Sequence, residues 1–256
     1  MIKVSCRTVL LAVLIAISLT AADDPFLGKW KINQEKSKTS GLGLKIEDLG
    51  ANKYRLTGGV SYEVIADGTD HPRPEGGTRS LTIVNATMWK SVIKRDGVVT
   101  SETVWNVSSD GSTMTTHTKG TNPDGSKMEA STVNTRTAGS GGFVGAWVSK
   151  AFKLSYQLME FQSYAGGISL VTPALQTRLD VKFDGKDYKE QGPRADMATV
   201  TSGKRLASDA IQLLDKRDGK VVYTNEFRVS ADGKTLTVSS KSANWPAPEI
   251  LVFEKQ

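Results

Sequence analysis

The chain has 256 residues, 38% hydrophobic and 23% charged, with a formal net charge of +6. This composition excludes an intrinsically disordered chain and a polytopic membrane protein, and the length suits one large domain or two ordinary ones. Positive residues lie scattered among acids, with no basic cluster interleaved with aromatics, so nucleic acid is not expected as a partner.

Residues 1–22 read as an export signal. Lys3 and Arg7 supply a positive start, residues 9–19 form an apolar run, and Thr20-Ala21-Ala22 offers small residues for cleavage after Ala22. The run falls short of the ~20 residues that a spanning helix needs, and no later segment is longer, so no membrane span is expected once the signal is removed. The protein is therefore expected outside the cytoplasm, in a periplasm or the extracellular space. Lys3 and Arg7 account for two of the six net charges, leaving +4 on the mature chain. Cys6, the only cysteine, precedes the apolar run, so the mature chain forms no disulfide and carries no lipid on a Cys after the signal.

The mature sequence opens on Phe26-Leu27-Gly28-Lys29-Trp30, and a related phrase, Phe143-Val144-Gly145-Ala146-Trp147, stands 117 residues later. Asp67-Gly68 and Asp184-Gly185 keep that offset, as do His71 and Tyr188. It becomes 122 for Arg95-Asp96-Gly97 against Arg217-Asp218-Gly219 and for Asp110-Gly111 against Asp232-Gly233. A two-copy repeat of this length means duplicated domains, and the five extra residues of the second copy are expected around residues 202–209. The small, flexible stretch Gly139-Ser140-Gly141-Gly142 reads as a linker. The expected organisation is a signal over 1–22, one β-domain over 23–138, a linker at 139–142 and a second β-domain over 143–256.

Within each half, Asp-Gly pairs mark tight turns and the segments between them alternate. In the first half Val99, Ser101, Thr103, Trp105 and Val107 share one face, as do Val221, Tyr223, Asn225, Phe227 and Val229 in the second. Met114 and Thr116 match Leu236 and Val238 on the next strand. A period of two with one largely polar face is an antiparallel strand with one side buried. The prediction is an all-β protein of two tandem small antiparallel up-and-down β-barrels, with a β-sandwich as the structural alternative. Residues 151–164 fit either a strand or a helical spacing. Gly41 and Gly43 in the aligned stretch favour a strand or an irregular lid.

No catalytic constellation stands out. Asp67, Asp70 and His71 could form part of a metal site, but the matching residue is Tyr188, and a polar hairpin loop is the simpler reading. His117 falls on an outward face. No Gly-x-Ser-x-Gly motif accompanies either histidine, and Asp184-Gly185-Lys186-Asp187 lacks the further oxygen ligands of a calcium loop. No catalytic residue, metal or cofactor is assigned.

Gly-x-Trp on a first strand, heading an antiparallel β-domain, resembles the lipocalin-like (calycin) barrels. The phrases Phe183-Asp184-Gly185-Lys186-Asp187-Tyr188, Lys216-Arg217-Asp218-Gly219-Lys220 and residues 230–237 are similar to a group of secreted bacterial lipocalin-like proteins of unassigned function, as is Asn33-Gln34-Glu35-Lys36-Ser37-Lys38 in the first half. The resemblance implies that Trp30 and Trp147 plug one end of each barrel, with a basic residue of the last strand across each ring: Arg136 for Trp30, Lys255 for Trp147. It also implies an exported binding protein that holds a small, largely apolar or amphipathic ligand. The alternative is a structural or interaction protein of the cell envelope, its barrels filled by side chains, with a protein partner that the sequence does not identify. Comparison of aligned inner positions, Ser101 for Tyr223 above all, makes the first barrel the roomier expectation. It gives Ser101, Thr103, Trp105, Met114 and Thr116 as candidate ligand contacts.

Overall fold

Alternating sequence builds strands throughout. The computed structural model describes residues 24–38, 41–153 and 158–256, so the export signal, Cys6 and residues 154–157 of the ambiguous stretch lie outside the described part. The first strand, β1 (Gly28–Ile32), is followed by β2 (Gly43–Asp48), β3 (Lys53–Thr57), β4 (Ser61–Ile65), β5 (His71–Pro72), β6 (Thr78–Asn85), β7 (Met88–Arg95), β8 (Val98–Val107), β9 (Thr113–Thr121), β10 (Lys127–Ala138) and β11 (Gly145–Lys153). The remainder forms β12 (Leu158–Tyr164), β13 (Gly167–Thr172), β14 (Thr177–Lys182), β15 (Asp187–Tyr188), β16 (Val200–Ala207), β17 (Ala210–Arg217), β18 (Lys220–Val229), β19 (Thr235–Lys241) and β20 (Glu249–Lys255). Residues 151–153 and 158–164 are thus strand, not helix.

These strands form two antiparallel sheets of ten, each curled into a nearly closed barrel. The two barrels agree with the sequence; their membership does not. In barrel I the order is β4-β3-β2-β11-β10-β9-β8-β7-β6-β5, and in barrel II it is β14-β13-β12-β1-β20-β19-β18-β17-β16-β15. The two Gly-x-Trp strands have changed places. The first strand of the first repeat pairs β12 and β20, while the first strand of the second repeat pairs β2 and β10.

Two expectations are corrected by this exchange. The division into 23–138 and 143–256 does not follow the barrels: barrel I is the continuous run from β2 to β11, and barrel II joins β1 to β12–β20. Residues 139–142 are no interdomain linker. They are the hairpin loop between paired strands β10 and β11, and Gly139, Gly141 and Gly142 all take positive φ there.

The tryptophan pairings change for the same reason. Trp147 lies opposite Arg136 in the ladder, with the guanidinium 4.0 Å from the ring centroid. Trp30 lies opposite Lys255, whose Nζ is 5.2 Å from its centroid. Both rings are fully buried, and each indole Nε1–H donates to the carbonyl four residues back, Phe26 at 2.8 Å and Phe143 at 2.9 Å. Arg136 also donates to the carbonyls of Gly111, Gly142 and Val144, which ties the barrel end shut. The glycine of the phrase has its own cause at Gly145. Its φ is +136°, and a Cβ there would stand 2.3 Å from the Ala138 carbonyl oxygen.

Asp-Gly turns come in two kinds. At Asp96-Gly97 and Asp218-Gly219 both residues have positive φ, the two-residue hairpin turn that matches strand twist. At Asp67, Asp110, Asp124, Asp184 and Asp232 the aspartate instead accepts the backbone N–H two residues on. The Thr69 backbone N–H and hydroxyl hold the Asp67 carboxyl down to about 2, and the Ser108 hydroxyl, ahead of the Ser112 backbone N–H, does the same for Asp110.

The inner faces hold along β8 and β18 except at their starts. A bulge opposite Ile93/Lys94 and another opposite Asp215/Lys216 reset the alternation, and Val99 and Val221 point outward, each 48% exposed. Beyond the bulges Phe227 and Val229 are buried with Leu236, Val238 and Phe253 in the barrel II core. Val107, Met114, Trp89, Phe143 and Trp147 occupy barrel I.

Candidate binding cavities

Each ten-stranded sheet has two ends, and the seam between them differs in the two barrels. In barrel II the offset moves from 117 at Tyr188 to 122 at Thr201, residues that pair with each other just as His71 pairs with Arg79. The five extra residues therefore lie between β15 and β16, not at 202–209. This longer loop closes the seam. Gln191 and Arg178 of β14 exchange backbone hydrogen bonds of 2.8 and 3.0 Å, and Gly192 packs so tightly that a Cβ would stand 2.0 Å from the Gln176 carbonyl oxygen.

Barrel I has only the short turn at residues 73–77, and a cavity of about 170 Å³ opens in its seam. Tyr62, Val64 and Ile65 of β4 line one side; Pro72, Arg73, Pro74, Glu75, Arg79 and Leu81 line the other. A second cavity of about 60 Å³ shares Tyr62, Val64, Arg79 and Leu81 as its wall and continues inward to Trp89, Ile93, Thr103 and Trp105.

The polar groups along this path are unevenly satisfied. Arg79 lies over the Tyr62 ring at 4.6 Å, and among the described residues no ion pair reaches it. Arg73 is 3.4 Å from Glu75, but Glu75 binds Arg217 of barrel II more closely, at 2.8 Å. Burial and the neighbouring Arg79 charge lower the Arg73 pKa. Among the described residues, three buried side-chain polar atoms lack a hydrogen-bond partner: Arg73 Nε, Trp105 Nε1 and Thr177 Oγ1. The first two belong to residues lining the barrel I cavities.

Of the residues expected to touch a ligand, the structure brings Thr103 and Trp105 to the inner cavity. Ser101 is buried outside its lining, Met114 is wholly buried in the core, and Thr116 shares a 2.7 Å hydrogen bond with Thr132. The expected difference in room is not seen: the two adjoining barrel I cavities together match the barrel II cavity in volume. The cavity inside barrel II measures about 230 Å³. Tyr223 does not fill that interior; its ring packs on Trp245 at 5.4 Å, so its replacement by Ser101 opens no space in barrel I. Arg79 for Thr201, and Trp105 for Phe227, fill barrel I instead.

The barrel II cavity has an apolar floor of Leu170, Leu179, Leu213 and Phe227, with Asp215, Asp196, Glu190 and Asn225 above it. Asp215 accepts from the Thr201 hydroxyl at 2.6 Å and from Asn225 Nδ2 at 2.8 Å, yet burial pushes its pKa up. Burial also raises Glu249, which stands in phase with Leu251 and Phe253 on β20. For Asp196, burial acts upward but is outweighed by Thr199, the Ala198 N–H and Arg217, and its pKa is lowered. The sequence carried the signal for Asp215, since it falls in phase with Ile211 and Leu213 on an inward face.

The cavity-lining turns of the two barrels meet. The equivalent arginines Arg95 and Arg217 each hold the opposing loop. Arg95 donates to the Pro193 and Ala195 carbonyls, and Arg217 binds Glu75 and Asp196. His71 is engaged by Asp67 at 3.1 Å. Among the described residues no group of three metal-binding side chains occurs, and no helix is long and apolar enough to cross a membrane. Comparison with protein-family models, curated proteins and solved structures found no match to this chain.

Proposed function

We propose that this is an exported, lipocalin-like binding protein that holds a small, largely apolar or amphipathic molecule in the seam of barrel I. The observation that carries this reading is the pair of adjoining cavities running from Arg73 to Trp105, in the one barrel whose seam the second repeat's insertion does not close. Apolar walls with a few polar groups are what such sites need, and the volume suits a ligand smaller than drug-sized. The resemblance to lipocalin-like barrels is supported by the buried Gly-x-Trp rings with a base across each, and export by the leader pattern of residues 1–22.

Trp105 supplies the test. In ¹H–¹⁵N spectra of the mature chain its indole N–H gives a signal that a ligand in the inner cavity must move. Titration with octanol and with octanoate should shift this signal saturably for at least one of them. Val64→Trp, which fills the cavity wall, should abolish the shift, while Leu213→Trp in barrel II should leave it. If neither compound moves the Trp105 signal, or if only the barrel II variant blocks it, the reading fails.

A further inference from the structure

Resting on that reading, we infer that the barrel I seam selects a ligand with an anionic head, held by Arg73 and Arg79, and an apolar tail directed toward Trp105. The argument starts from charge. Arg73 and Arg79 both line the outer cavity, and Arg95 adds a third guanidinium behind the same turn, bound to the Glu75, Pro193 and Ala195 carbonyls. Two acids also line the cavity, and both are engaged elsewhere. Glu63 binds Lys53 at 2.5 Å and Arg55 at 2.8 Å, and Glu75 prefers Arg217. Among the described residues Arg79 is left with the face of Tyr62.

Hydrogen bonding gives the same sign independently. The orphaned atom at the head end of the path, Arg73 Nε, is a donor. Buried donors left unpaired are costly, and native structures rarely keep them without a partner that supplies acceptors. A carboxylate or phosphate is acceptor-rich and charged; planar guanidinium groups bind either in a bidentate manner. The wall leading from the arginines to Trp105 includes Val64, Leu81, Leu56 and Ile93, which suits methylene groups, and the inner cavity has no carboxylate in its lining.

The second barrel sharpens the contrast. At the positions of Arg79 and Ile93 it carries Thr201 and Asp215, so the equivalent depth is acidic. The charge preference is thus a property of barrel I alone.

The test compares octanoate, octyl phosphate and octanol by calorimetry and by the Trp105 indole shift on the mature chain. Either anion should bind at least tenfold more tightly than octanol, and the stronger of the two identifies the head as carboxylate or phosphate. Arg73→Gln and Arg79→Gln should each lose most of the anion preference, read as the ratio of anion to octanol affinity, and circular dichroism with the melting transition checks that the variants are folded. Equal affinity for octanol and both anions would overturn the inference and leave the binding function standing. Absence of any binding would remove both.

Discussion

Exchange of the first strands makes a prediction that neither repeat alone would. Trp30 stands early in the chain, yet its fully buried ring packs in barrel II with Phe26, Phe161 and Phe253. Replacing a buried Trp by Ala costs about 3–5 kcal/mol through lost burial and the cavity left behind. Trp30→Ala also frees the Phe26 carbonyl and removes the ring beneath Lys255. If opening of barrel II limits amide exchange, ~1.4 kcal/mol per power of ten translates this loss into exchange roughly two to three and a half powers of ten faster. The assay is hydrogen–deuterium exchange by mass spectrometry, read separately for peptides from β7–β9 and β17–β19. Trp30→Ala should accelerate β17–β19, more than a hundred residues away in sequence, and leave β7–β9 much nearer the parent rate. Trp147→Ala should do the reverse. Should Trp30→Ala loosen β7–β9 first, the strands are not exchanged and the reasoning fails.

Two further outcomes follow from the same geometry. Residues 41–153 contain all ten strands of barrel I without a break and should melt cooperatively as an isolated fragment; a structureless fragment, seen by circular dichroism, would count against barrel I as a self-sufficient unit. Burial raises Asp215 and Glu249 above the ~3.9 and ~4.3 of the unfolded chain, so the folded state holds their protons longer, and their contribution to stability is full below about pH 4 and declines as pH rises through the raised values. Asp215→Asn should flatten that decline in urea unfolding between pH 4 and 8, and wild-type and variant curves that run parallel there would refute it.

Strand identity, turn positions and the inward faces were legible because alternation and Asp-Gly turns are local signals. The exchange was not, since Phe26-Leu27-Gly28-Lys29-Trp30 and Phe143-Val144-Gly145-Ala146-Trp147 present the same side chains to either barrel. Pattern alone cannot say which copy sits beside which last strand; the stretches that follow β1 and β11 decide it, and these carry no motif. The bulges escaped for a related reason. Val98-Val99 and Val221-Val222 continue a β-rich run, and the slip that turns Val99 and Val221 outward lies in the pairing, not in the residue types. Arg79 could have been found, because it falls in phase with Leu81 on the inner face of β6. The orphaned donors could not, since an unpaired atom is defined by what surrounds it in space.

The shared carboxylate of Glu75 bears on whether a ligand at Arg73 would disturb the contact between barrels. Glu75 Oε1 binds Arg217 at 2.8 Å, and the longer 3.4 Å contact to Arg73 uses Oε2. An arriving anion could therefore take over Arg73 without displacing Arg217. Arg217 also keeps Asp196 at 2.7 Å, so its charge retains a partner in either case. Breaking a buried ion pair by removing one member costs ~3–5 kcal/mol, enough to cancel the binding of a small amphipathic molecule. The split of Glu75 between two arginines spares barrel I that opposition. It also leaves the longer of the two Glu75 contacts at the cavity, where a competing anion can replace it, and the shorter at the interface, where the two barrels need it.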